Sequence, residues 1–240
     1  MCAINGSTKI DKERIARMNA ATKHRGPDGT DEWHEGISFG HNRLAILDVH
    51  ERSNQPMQSA DGKYVIVFNG EIYNYQALRE ELQGQYTFST KSDTEVILAG
   101  YTVWGEKIFS RLRGMYAFGL FDTEKEELLL LRDPMGIKPL YLSKHEGAYV
   151  FSSELKGILA AGVPAKLSYT AFSWYMRTLY VPAPLSIIEG VEKLTPGVVY
   201  RIRGGAYEKK EIAYEAKESY ENLAEAVGDA VRAQVVSDKP

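Results

Sequence analysis

The chain holds a single cysteine, and it stands at position 2, directly behind Met1. A lone cysteine cannot close an internal disulfide, so Cys2 is either a small apolar side chain or a reactive thiol. Its position favours reactivity. Initiator methionine is removed when the next residue is small, and removal would leave one residue bearing both a thiol and a free α-amine. Their ordinary pKa values are about 8.5 and about 7.7–8.0, so near neutral pH an appreciable fraction of the amine is unprotonated and can accept the thiol proton. Nucleophile and base would then share one residue. None of the five histidines (His24, His34, His41, His50, His145) falls in a pattern that demands a separate base. Other polar candidates stand in short runs: RGPD at 25–28, NG at 69–70 and SDTE at 92–95. Each has a plain structural meaning as well. RGPDG is a turn signal, Asn-Gly is the strongest short hairpin signal, and an acid in a first helical turn complements the helix dipole. No group has metal-ligand spacing, and neither GxGxxG nor a P-loop occurs.

These residues need elements to position them. The run from Cys2 to Asn5 reads as a short strand, followed by a helix after Asp11 with Ile15, Met18 and Thr22 on one side. NRLAILDV and KYVIVFNG read as strands, the second nearly unbroken in apolar character from Tyr64 to Phe68, as for a strand buried on both faces. Tyr75 to Leu82 has helical composition. SDTEVILAGYTVWG predicts a helix with Ser92 as N-cap, Glu95 closing a capping box and Gly105 past its end. MYAFGLFD and ELLLLRD predict a hairpin across TEKEE; GIKPLYLS and YVFSS are further strands, and Glu154 to Ala161 is a short helix closed by Gly162. From Pro164 the prolines and glycines of YVPAPLSIIEGVEKLTPG predict an extended connecting arm with little repetitive structure. Leu223, Ala226, Val227, Ala230, Val231 and Val235 recur at helical spacing and predict a last helix whose apolar face awaits a partner. Two buried sets of strands flanked by helices predict an α+β fold, a four-layer αββα sandwich of two mainly antiparallel sheets.

Bulk composition sets the class. With 44% hydrophobic and 25% charged residues in 240, the chain matches a globular protein with a sizeable core. A net charge of −3, with Lys and Arg scattered among acids, offers no basic face to nucleic acid. No apolar run of membrane-spanning length and no signal peptide is present, so neither a membrane nor a secretory route is expected and the cytoplasm is the default.

Seven runs, MCAI, RGPD, NRLAILD, FNGEIYN, SDTE, RDPMGIKPLY and SSELKGIL, occur in an order and spacing that resemble the glutaminase domain of glutamine-dependent asparagine synthetases. These are class II amidotransferases with the N-terminal nucleophile hydrolase fold. The resemblance covers about residues 2–200, and the YVPAP…LTPG arm with the closing VRAQVVSDKP also looks like that family's passage into its synthetase domain. It divides the chain into a glutaminase domain with its arm at 2–213 and, at 214–240, a linker and first helix of a truncated C-terminal synthetase domain. Ala3 stands where members often have glycine or serine. The SDxP segment in the family leads into SGGxDS, which lies beyond this chain.

By resemblance, Cys2 attacks the side-chain amide of L-glutamine, and Asn69 with the Gly70 N–H forms the oxyanion hole. Arg43 holds the α-carboxylate and Asp93 the α-ammonium, with Glu71 and the backbone around Ile46 completing the site. Met115 resembles the start of an ammonia passage. RGPD and RDPMGIKPLY, with Asp133, Gly136 and Pro139 at turn positions, are read as architectural. The resemblance implies no cofactor for the glutaminase domain and no metal, ATP and Mg in the synthetase domain, and that domain as partner; a homodimer is also compatible. Ammonia would go to asparagine synthesis from aspartate. The alternatives are a different acceptor, as in surface-polysaccharide synthesis, and a catalytically silent regulatory module.

Overall fold

The computed structural model describes residues 1–214, 220, 222–235 and 237–238. Twelve strands among them form two six-stranded sheets. The strands are β1 (Ala3–Ser7), β2 (Gly29–Glu35), β3 (Ile37–Arg43), β4 (Met57–Gln58), β5 (Tyr64–Ile72), β6 (Gly114–Asp122), β7 (Glu127–Arg132), β8 (Tyr141–His145), β9 (Ala148–Ser152), β10 (Val191–Lys193), β11 (Val198–Arg203) and β12 (Ala206–Glu211). One sheet runs β10-β8-β9-β1-β3-β2 and the other β12-β11-β7-β6-β5-β4, all ladder pairs antiparallel. Six α-helices accompany them: α1 (Lys12–Thr22), α2 (Tyr75–Glu81), α3 (Asp93–Trp104), α4 (Leu155–Ala160), α5 (Tyr169–Thr178) and α6 (Leu223–Gln234).

Strand alternation explains the layers. In β5, Val65 and Val67 face the other sheet while Ile66 and Phe68 face α2 and α3; in β7, Leu128 and Leu130 divide from Leu129 and Leu131 the same way. A strand apolar on both faces is therefore the interior layer of an αββα sandwich. Ile15 and Met18 of α1 and Ile158 of α4 close the outer face of the first sheet. Burying each such side chain contributes about 1.5–3 kcal/mol.

Several expectations meet their elements closely. Asp11 caps α1 through the Arg14 amide, and Ile15, Met18 and Thr22 are buried on one side. The TEKEE hairpin pairs Asp122 with Glu127. Ser92 caps α3 by accepting from Glu95 N, but the box is not closed: the Glu95 carboxylate turns away to the Ser89 and Thr90 amides and hydroxyls.

Others differ. NRLAILDV is not a strand beyond Arg43; β3 ends there and residues 44–49 turn into a loop, because Leu44, Ile46 and Leu47 line a cavity at the sheet ends. NG at 69–70 lies inside β5, opposite Ala117 and Tyr116, and makes no turn. The arm after Pro164 is more regular than its composition suggests. It begins with α5, which buries only Ala171 and so carries a weak periodic signal, and then supplies β10, β11 and β12 at the edges of the two sheets. α6 forms as expected and buries none of its residues, with Leu223, Val227 and Val231 exposed. No helix among the described residues is long and apolar enough to cross a membrane.

Candidate active site

Residue 2 directly precedes β1, an inner strand of one sheet, and Asn69-Gly70 lies on β5 of the other, so the nucleophile candidate and the proposed oxyanion donors meet at one cavity. A cavity of about 430 Å³ opens there, lined by Cys2, Arg43, Ile46, Asn69, Gly70, Glu71 and Asp93 together with Met1, Gln55, Met115 and Lys138. All seven residues singled out by sequence are thus brought to one place.

The thiol is held against the loop that follows β3. Leu44 N donates to Cys2 Sγ at 3.4 Å, and Sγ lies 3.6 Å from Leu44 O. Burial pushes the thiol pKa up, opposed by the Leu44 amide and the N-terminal charge. The terminal amine, carried here by Met1, is pushed down, first by burial, then by the Arg25 and Lys138 cations, against the opposite pull of Cys2 and Asp28. Both shifts favour a neutral amine beside a neutral thiol. His41 is no competing base: buried, its Nε2 against Phe68 O at 3.2 Å, it is depressed by burial to about 4.

RGPD does more than turn the chain. Arg25 Nε donates to Cys2 O at 2.9 Å and its Nη1 pairs with Glu154, which fixes the backbone behind the nucleophile. Asp28 Oδ2 accepts from Ala45 N, tying the same loop to the cavity wall. Gly26 is required by close approach, since a Cβ there would overlap Asn42 O.

On β5, Asn69 is 1% exposed and its Nδ2 has no hydrogen-bond partner among the described residues. A buried donor left unpaired costs about 1–3 kcal/mol, so its retention calls for an explanation. The Phe68 amide donates to Gln55 Oε1 and the Ile72 amide to Asp93 Oδ2. Strand alternation places the Gly70 N–H on that same edge, between them and toward the cavity. A Cβ on Gly70 would overlap Met115 O and come within 2.7 Å of Tyr116 Cα, so only glycine lets β5 and β6 approach at this point.

The far end of the cavity carries charge. Arg43, 7% exposed, donates through Nη1 to His50 O and Asn54 Oδ1 and through Nη2 to Asp48 O and Leu47 O. These neutral acceptors fix the guanidinium through both of its Nη atoms without cancelling its charge. Asp93, 5% exposed, is pushed up to about 7, mainly by burial and in part by Glu71, while the Ile72 and Thr94 amides oppose the shift. Glu71 is also raised by burial. Arg43, Lys138, Glu71 and Asp93 make no ion pair with a protein partner among the described residues. Two unneutralised cations and two unneutralised acids in a cavity suit a zwitterion of amino-acid size.

Lys138 is the residue that sequence reasoning passed over, because RDPMGIKPLY reads as a turn. Its backbone is locked by Asp133 Oδ2 and by Arg132 Nε, and its buried side chain enters the cavity, Nζ at 3.2 Å from Met1 Sδ. A lysine between a glycine and a proline in GIKPLY was the available signal. Among the described residues no group of three or more His, Cys, Asp or Glu side chains is placed to hold a metal.

Two antiparallel sheets between helical layers, with a polar cavity at the start of the first strand, define the N-terminal nucleophile hydrolase architecture. Two solved structures share the fold: the glutamine phosphoribosylpyrophosphate amidotransferase of B. subtilis (TM-score 0.66, 20% identity, 88% of this chain and 49% of that one) and an allosteric regulatory enzyme of purine biosynthesis (TM-score 0.65, 17% identity, 91% and 50%). Residues 1–214 match the glutamine amidotransferase domain family, and the chain belongs to that family. Among curated relatives, asparagine synthetase (glutamine-hydrolyzing) 1 of Bacillus subtilis is 39% identical over 244 residues, covering 97% of this chain and 38% of its own length. A Mycobacterium tuberculosis relative is 43% identical over 205 residues, covering 79% of this chain and 31% of its own length. The chain therefore spans about a third of the length of these relatives. It is an enzymatic glutamine amidotransferase domain of the asparagine synthetase-like kind.

Proposed function

We propose that this domain hydrolyses L-glutamine to glutamate and ammonia through a thioester on Cys2, formed after Met1 is removed. The proton of Sγ passes to the Cys2 α-amine as sulfur bonds to the side-chain carbonyl carbon of glutamine. The negative oxygen of the tetrahedral intermediate takes its hydrogen bonds from Asn69 Nδ2 and Gly70 N–H. Collapse breaks the carbon–nitrogen bond, and the ammonium of Cys2 returns its proton to the leaving nitrogen, which departs as ammonia. Water then attacks the thioester with the amine as base, sulfur regains a proton, and glutamate leaves. Arg43 receives the α-carboxylate of glutamine, and Asp93 with Glu71 receives its α-ammonium; the backbone around Ile46 closes the cavity over it.

The observation that carries this reading is the buried Asn69 Nδ2, without a partner among the described residues, at the cavity that Cys2 also lines. Such a donor is worthwhile where negative charge develops on an oxygen. In a longer protein of the relatives' length, ammonia would pass by Met115 to a C-terminal domain that uses ATP and Mg to amidate aspartate, with residues 214–240 as its linker and first helix, a stretch of which 215–219, 221, 236 and 239–240 lie outside the described residues. Purified protein with a free Cys2 amine should release equimolar glutamate and ammonia from glutamine, and Cys2→Ala should release neither. Equal ammonia release by the two proteins overturns the proposal.

A further inference from the structure

We infer that Asp238 is a positioning residue of the glutamine pocket, bracketing the loop that holds Arg43; this rests on the glutamine-binding reading above. The loop 44–54 owes little to regular structure. It contains one 3₁₀ turn, Glu51–Ser53, and Asp48 adopts a left-handed φ of 41°, a region uncommon for non-glycine residues that Asp enters more readily than most. Yet its carbonyls are what fix the guanidinium, since Arg43 Nη2 donates to Asp48 O and Leu47 O. Something must hold Asp48.

Part of the constraint is local: the Asp48 carboxylate accepts from Arg52 and from Lys91 N. The rest comes from 190 residues away. Asp48 N donates to Asp238 Oδ2 at 2.8 Å, and Asp238 N donates to Ile46 O at 3.1 Å. The two bonds, both from Asp238, grip Ile46–Asp48 at two points, the side chain accepting from the amide of a buried residue and the backbone donating to a carbonyl of the cavity loop. A route of direct contacts follows from Asp238 through Asp48 to Arg43 and the end of glutamine that does not react. Asp238 thereby sets how well the pocket is formed before substrate arrives. Asp238 itself is exposed, so its replacement leaves the three cores untouched.

The test compares Asp238→Ala and Asp238→Asn in the full chain. Asparagine keeps an Oδ acceptor for Asp48 N. For Asp238→Ala the expected result is a rise in KM for glutamine on the order of tenfold with kcat within about twofold, and recovery of most of the loss in Asp238→Asn. Hydrogen exchange of residues 44–54, measured without substrate, should be faster in Asp238→Ala than in the unaltered chain and in Asp238→Asn. An unchanged KM with unchanged exchange overturns the inference, as does an equal loss of kcat and KM in both variants. Faster exchange in a protein that never releases ammonia would sustain the clamp and sink the glutaminase reading instead.

Discussion

Asp93→Asn should make the protein more stable at alkaline pH while weakening its hold on glutamine. The Asp93 carboxyl is buried, stands near Glu71 and has no ion-pair partner among the described residues; burial first and Glu71 next raise its pKa from 3.8 to about 7. The native chain therefore binds more protons than the unfolded chain between about pH 4 and pH 7, and stability falls as pH rises through that interval. At 1.36 kcal/mol for each tenfold change, ionising this carboxyl in the fold costs about 4 kcal/mol at pH 8 but only about 1.5 kcal/mol at pH 5. Asparagine keeps the oxygen that accepts from Ile72 N at 2.9 Å and removes the charge. Urea unfolding of both proteins at pH 5, 6, 7 and 8 should show the variant gaining about 2.5 kcal/mol on the unaltered chain between the extremes. Glutamine at pH 8 should narrow the gap, because its α-ammonium supplies the cation that the empty cavity lacks. A difference that stays flat with pH would refute the assignment of Asp93 as an unpaired buried acid.

Asn69→Ala should lower kcat by roughly 10²–10³ without lowering unfolding stability, since it deletes a donor that the fold leaves unpaired; steady-state kinetics beside thermal melts checks both halves. Gly70→Ala should destabilise by about 1–3 kcal/mol, read as a shift in denaturation midpoint, because the new methyl overlaps the Met115 carbonyl of β6. In chains that retain Met1, Lys138→Met removes a cation that lowers the Met1 amine, so that amine should titrate at higher pH by NMR, whereas Lys138→Arg should leave it in place.

The interior of the fold was legible where burial is two-sided. Tyr64–Phe68 and Leu128–Leu131 can be nothing but inner strands, and the caps of α1 and α3 are written at Asp11 and Ser92. Legibility failed where polarity and position part company. β2 is mostly polar and half exposed, and β3 buries Ser38, His41, Asn42 and Arg43, so neither shows an apolar alternation. NRLAILDV misled for the opposite reason: its apolar residues line the cavity from a loop. The site residues could be named because seven motifs share an order with a known family, and the cavity unites them. Arg25 and Lys138 were taken for architecture, since a contact to Cys2 O or a side chain aimed at Met1 depends on strands paired far apart in sequence. The Asp238 clamp has no sequence signature at all.

The reading turns on one sulfur with its own amine. A chloroketone analogue of glutamine, incubated with the protein and followed by intact-mass and peptide mass spectrometry, tests it most directly. The account predicts one adduct, on Cys2, on chains lacking Met1, with glutamine protecting and ammonia release lost in proportion to labelling. Full glutaminase activity in chains that retain Met1, or in chains fully labelled at Cys2, would contradict it.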